Sequence, residues 1–346
     1  MTQKTVNLAL QGGGAHGAFT WGVLEELLLD ERLTFKTISG TSAGAMNGAV
    51  MVYGLVSGGA SEGRAKAIEL LESFWKQVSA SGRFGLFSGP NVMDQFMGGM
   101  SPMNAAASGA FMGFDMMSRY FSPYQFNPLG LNPLRDILLN VVDFNVLRET
   151  KEYNLHVAAT DVLRCHLKLF TGKELSVDAF MASSCLPQLF QAVEIDGSYY
   201  WDGGYMGNPT LFPLTQCRAS HDIMIVQIDP ITRKNLPRTA EAIMDRLNEI
   251  SFNSPLLVEL KGLHLVNQLL HKGHLKEECG LRKLHIHIVG DDDGMGNFSL
   301  ESKFNPDWDF LSRLRSTGRQ AAKKWLAAHY GDLGKASTID LEKLVA

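Results

Sequence analysis

Three short stretches hold the residues whose types and spacing could do chemistry. Residues 38–45 read Ile38-Ser39-Gly40-Thr41-Ser42-Ala43-Gly44-Ala45: the close of a short strand, a G-T-S-A-G turn, and a run suited to a helix. G-x-S-x-G is the pattern of a tight strand-to-helix turn that lifts a serine hydroxyl clear of the backbone. Ser42 would stand at a helix N-terminus, where free N–H groups favour developing negative charge. The plainer alternative is a Gly/Ser turn in which Ser42 merely caps the helix. A second stretch, Gln11-Gly12-Gly13-Gly14-Ala15-His16-Gly17, follows a short apolar run and precedes a helix-like one. The third is Asp202-Gly203-Gly204, directly after the strand-like residues 199–201.

Gly12, Gly14 and Gly17 fit G-x-G-x-x-G, so dinucleotide binding is the first rival. That reading needs an acidic residue at the end of the second strand, and residues 38–40 offer none. A phosphate-binding P-loop needs G-K-[ST], which is also missing. Acyl chemistry uses the same glycines another way. Ester hydrolysis passes through an oxyanion that needs pre-placed N–H donors, each worth roughly 3 kcal/mol. In a βαβ unit the turns after the first and second strands lie at the same carboxyl edge, so the glycine turn and Ser42 would be neighbours. The serine also needs a base. An α/β-hydrolase would supply a histidine, but places its serine after more than two strands. A carboxylate acting directly is the alternative, and Asp202 is the obvious supplier, although taken by itself a plain Asp-Gly turn is the favoured account of that residue.

The elements that would carry these turns follow from periodicity. Residues 6–10 and 35–39 read as strands; 18–29, 43–56 and 65–78 read as helices. Strand-helix alternation predicts an α/β fold. Further on, 134–142 and 176–184 read as helical, 154–159 and 166–170 as a strand pair, and 193–195 with 199–201 as a hairpin about Asp196-Gly197. Residues 223–228 have the continuous apolar character of a central parallel strand. Residues 237–275 read as helix, 284–289 as strand and 307–330 as a charged amphipathic helix. The stretch 81–132 is rich in Met, Gly and Phe and reads either as a lid or interfacial segment shaping an acyl pocket or as an irregular packed insertion.

Taken together, the three motifs resemble those of the patatin-like phospholipase family, of the bacterial type. Gly12-Gly13-Gly14-Ala15-His16-Gly17 resembles its G-G-G-x-[RK]-G loop, Gly40-Thr41-Ser42-Ala43-Gly44 its G-x-S-x-G, and Asp202-Gly203-Gly204 its D-G-[GA]. Residues 182–187 with Phe190, and Thr160-Asp161, are similar to further family segments. The resemblance implies a three-layer α/β/α fold with a mainly parallel sheet. It also implies a Ser42–Asp202 dyad without a catalytic histidine, acting on lipid acyl esters through an acyl-enzyme. Gly12, Gly13 and Gly14 would form the oxyanion hole, and His16, Gly17, Gly40, Gly44, Gly203 and Gly204 would support it, with no metal or organic cofactor. His16 departs from the family's Arg or Lys, so any charge there would come only from a protonated imidazole. The expected organisation is a catalytic domain over 1–235 and a mostly helical extension over 236–346 packed on it. Acyl transfer, thioester hydrolysis and a catalytically silent binding role are the alternatives.

Composition bounds the rest. The 346 residues carry a net charge of −4, with 45% hydrophobic and 20% charged residues. That describes a globular chain and argues against a nucleic-acid partner, since no basic excess exists to displace phosphate counterions. The four cysteines show no zinc spacing, so reduced thiols are expected. No apolar leader and no run of about 18 apolar residues is evident, so a cytoplasmic address is expected. Arg313, Arg315, Arg319, Lys323 and Lys324 in the last helix read as a solvated basic face, with peripheral contact to anionic headgroups as the rival.

Overall fold

The computed structural model describes residues 3–82, 121–275 and 281–345. Residues 83–120 of the Met-rich stretch expected over 81–132, read as a lid or a packed insertion, lie outside them. Strand β1 (Lys4–Leu10) leads through the glycine loop into helix α1 (Gly17–Leu29); β2 (Leu33–Thr41) leads through Ser42 into α2 (Ala43–Ser57), followed by α3 (Gly59–Gly82). After α4 (Pro133–Val141) come β3 (Asn154–Asp161), β4 (His166–Thr171), α5 (Val177–Ser183), β5 (Val193–Ile195) and β6 (Ser198–Asp202). The chain ends with β7 (Asp222–Val226), α6 (Ala240–His271), β8 (His285–Val289) and α7 (Trp308–His329), besides shorter helices.

The eight strands of the described residues form one mixed sheet in the order β5-β6-β3-β2-β1-β7-β8, with β4 also on β3. From β3 to β8 every neighbour is parallel; β4, β6 and β5 are added antiparallel. The β5–β6 hairpin turns through Asp196 and Gly197, both at positive φ, as a two-residue hairpin turn requires. β7 shows why helices cover both faces. Its Met224 and Val226 join the large core with β1, α1, α2, α3 and α7, while Ile223 and Ile225 join a second core with Leu256 and Leu260 of α6. A strand buried on both faces is apolar throughout, because its period-two alternation points each side chain into a core. The result is a three-layer α/β/α architecture.

α1 is buried almost all round, because α7 packs over it. The helices approach closely at Gly22 and Gly318, where a Cβ would collide with Arg315 and Phe19 carbonyl oxygens. Arg315 pairs with Glu25 at 2.6 Å and Arg319 with Glu26 at 3.1 Å. Two of the basic residues read from sequence as a solvated or headgroup-binding face therefore hold α7 to α1. No helix among the described residues is long and apolar enough to cross a membrane.

Candidate active site

The two turns at the carboxyl ends of β1 and β2 touch. A Cβ on Gly12 would lie 2.9 Å from the Ser42 Cβ and 2.8 Å from the Thr41 carbonyl oxygen. Gly44 lets the first turn of α2 pass over the end of β1, where any side chain would collide with the Leu10 carbonyl oxygen. Gly40 and Gly17 make similar close approaches, to Ala45 and Ala43. Ser42 has φ 51° and ψ −124°, rare for a residue with a Cβ; such strain costs on the order of 1–3 kcal/mol and persists only where the surroundings enforce it. Its N–H donates to Ser183 Oγ at 2.9 Å. Asn47 of α2 donates to the Gly17 and Ala43 carbonyls and accepts from Trp75 Nε1, so α1, α2 and α3 are locked together behind the serine.

Asp202 ends β6 and is buried. Its Oδ1 accepts the Gly204 N–H at 2.7 Å, its own N–H donates to the Cys185 carbonyl at 2.8 Å, and its carbonyl accepts from Thr160 Oγ1 at 2.8 Å. Gly203 passes against Ala158 on β3, and Gly204 lies under the Phe252 ring of α6. The Ser42 hydroxyl lies near enough to the Asp202 carboxyl to favour its charged form. Burial pushes this carboxyl up to about 7, against the opposing pull of the Gly204 N–H, the Ser42 hydroxyl and the Lys303 charge. Nearby Cys185 is raised to about 12, chiefly by burial and then by Asp202, and so stays a thiol.

The three loop glycines are not equivalent. Gly12 donates its N–H to Asn208 Oδ1 at 2.7 Å, which removes it as a donor to anything else. The Gly13 and Gly14 N–H groups have no acceptor among the described residues. Gly14 takes φ +58° and rests on the Lys303 carbonyl. His16 is buried, its ring packed near Phe298 and Phe310. Its Nε2 meets Ser302 Oγ at 2.7 Å, and that hydroxyl donates to the Ser299 carbonyl, so Nε2 carries the hydrogen. Burial, then the Lys303 charge, lowers its pKa to about 3. His16 is therefore neutral, and the charge that protonation could have supplied is absent.

The model for the patatin-like phospholipase family matches residues 8–215. The chain belongs to this family. Membership carries the general class of activity, hydrolysis of lipid esters. Among solved structures, VipD from Legionella pneumophila is similar at 15% identity and a TM-score of 0.43, over 95% of this chain and 67% of that one. Among curated sequences none matches.

Several residues that shape this patatin-like site were not singled out by sequence. Asn208 ties the glycine loop to the segment after β6. Gln11 accepts from the Ile228 and Asp229 N–H groups and donates to the Asn208 carbonyl and Asn253 Oδ1. The segment 182–187 holds both Ser42, through the Ser183 hydroxyl, and Asp202, through the Cys185 carbonyl. Lys303 lies beyond the matched region altogether. An asparagine or lysine in a loop carries no periodicity or spacing signal, so only the fold brings these groups to the site.

Proposed function

We propose that the chain is a serine hydrolase of lipid acyl esters working through a Ser42–Asp202 dyad. The observation that carries this reading is the Ser42 hydroxyl beside a buried carboxyl that burial pushes up to about 7. General bases are most effective when poised near the working pH. Asp202 takes the Ser42 proton as the oxygen attacks the ester carbonyl. The N–H groups of Gly13 and Gly14, beside the N-terminus of α2, hold the oxyanion. Collapse of the tetrahedral intermediate expels the alcohol, which takes the proton back from Asp202, and leaves the acyl group on Ser42. Asp202 then removes a proton from the water that attacks this ester, and returns it to Ser42 as the fatty acid leaves.

The residues from 216 onward belong to the same working unit in this reading, since β7, β8 and α7 complete the sheet and cover that carry β1 and its loop. The substrate is a lipid met at a membrane surface by peripheral contact. A cytoplasmic address agrees with Cys165, Cys185 and Cys217 having no disulfide among the described residues. The test is labelling with a fluorophosphonate probe together with hydrolysis of a phospholipid panel. Labelling and turnover in the wild type, both lost in Ser42→Ala, are expected. Equal labelling of Ser42→Ala would remove Ser42 as the nucleophile. Acyl products on an added alcohol or thiol acceptor, in place of free acid, would turn the reading to acyl transfer.

A further inference from the structure

One buried cation near the dyad has no part in the steps above. Lys303 stands on the 3-10 turn Glu301–Phe304, and its side chain is only 12% exposed. Its Nζ meets Asp229 Oδ1 at 2.7 Å, donates to Asn248 Oδ1 at 2.8 Å, and lies 5.5 Å from the centre of the Phe252 ring. That ring packs on Gly204, whose N–H holds Asp202. The backbone of the same residue supports Gly14, and the preceding Ser302 holds His16. One short turn from outside the matched region thus touches both halves of the site.

We propose that Lys303 is a positioning residue of the hydrolytic site, its pinned ammonium favouring the charged, proton-accepting form of Asp202 while its carbonyl braces the glycine loop. The inference rests on the Ser42–Asp202 reading. An ammonium is a costly group to bury unless it is paired, and Asp229 pairs it. Asp229 is itself buried, following β7, with its second oxygen unpartnered. The pair is therefore a fixed, buried dipole separated from Asp202 by the Phe252 ring and Gly204, not a mobile surface contact. The groups that face Asp202 are Ser42 from the β2 turn, Cys185 after α5, Tyr205 after β6, and Lys303. Lys303 is the one cation among the described residues whose charge reaches it. His16, the basic side chain of the glycine loop itself, is neutral.

The test exploits sign. Lys303→Gln removes the cation, and Asp229→Asn removes its counter-charge and leaves the cation unopposed. Both variants are assayed as the full chain on a soluble acyl ester across pH, with active sites counted by fluorophosphonate. The acid limb of kcat/KM is expected to rise by about one unit in Lys303→Gln and to fall in Asp229→Asn. Lys303→Gln then loses about tenfold at pH 6 and little above pH 9, and Lys303→Arg restores the wild-type limb. A purely structural lysine would lower the rate equally at every pH. That result, limbs that do not move, limbs that move the same way, or failure of both variants to fold would overturn the proposal. Wild-type turnover that does not depend on Ser42 would instead overturn the dyad reading.

Discussion

Asp202→Asn separates the energetic burden of the site from its chemistry. A carboxyl with a pKa near 3.8 in the unfolded chain and about 7 in the fold is harder to ionise when folded. Below the unfolded value both states are protonated and the burial of charge costs nothing. As pH rises the unfolded chain ionises first, so wild-type stability falls progressively until pH passes about 7. The shift of about three units corresponds to about 4 kcal/mol, complete by about pH 8 and nearly absent near pH 4. Asparagine is close in shape. Its oxygen can keep the Gly204 N–H and its amide can donate to Ser42, but it has no charge to bury. Urea unfolding of both proteins near pH 4 and pH 8 isolates this group, because other titrations cancel in the difference. The expected variant gains up to about 4 kcal/mol over wild type at the higher pH, is near parity at the lower, and has no turnover. A gap that is the same at both pH values, or a variant weakened at the higher one, would refute the account of Asp202.

His16 is expected to stay neutral well into acid, its imidazole signals in NMR moving only near pH 3. Because the unfolded histidine takes up a proton below about 6.5, it makes the fold lose stability as pH falls from there. His16→Gln should remove that component, and equal acid sensitivity would argue against a neutral His16. Gly14→Ala would put a Cβ into the Lys303 carbonyl at φ +58°. It is expected to lose about 1–3 kcal/mol and at least tenfold in turnover, and unchanged thermal unfolding with full activity would contradict the packing described. Arg315→Ala leaves the buried Glu25 with Arg319 alone. Loss of about 2–3 kcal/mol with little change in kcat is expected, checked by denaturation and a kinetic assay; no loss would mean the pair does not hold α7.

The parts of the site legible in the sequence are those made by local geometry. A glycine loop after one strand and a serine turn after the next announce themselves by spacing, and the βαβ rule places both at one sheet edge. The Asp196-Gly197 hairpin is legible for the same reason: two-residue hairpin turns demand residues that tolerate positive φ. What stays illegible is made by tertiary contact. Nothing around residue 208 says that its side chain will occupy the Gly12 N–H. The charges at 315 and 319 read as solvated because their partners, Glu25 and Glu26, lie at the other end of the chain. The role of His16 also needed the fold, since its protonation is decided by burial and not by residue type.

The pairing of β1 has a further consequence for how the chain is made. β1 leaves the ribosome before β2, which can soon pair with one of its edges. Its other edge is closed only by β7, with Asn7 opposite Ile223. At ordinary rates of synthesis the gap is on the order of ten to forty seconds. Throughout it, Val6, Leu8 and Leu10 lie on a strand with an open hydrogen-bonding edge, a template for pairing with other chains. The glycine loop thus hangs from a strand that is finished late, and nascent chains halted before residue 222 should be the ones that chaperones hold and that aggregate first.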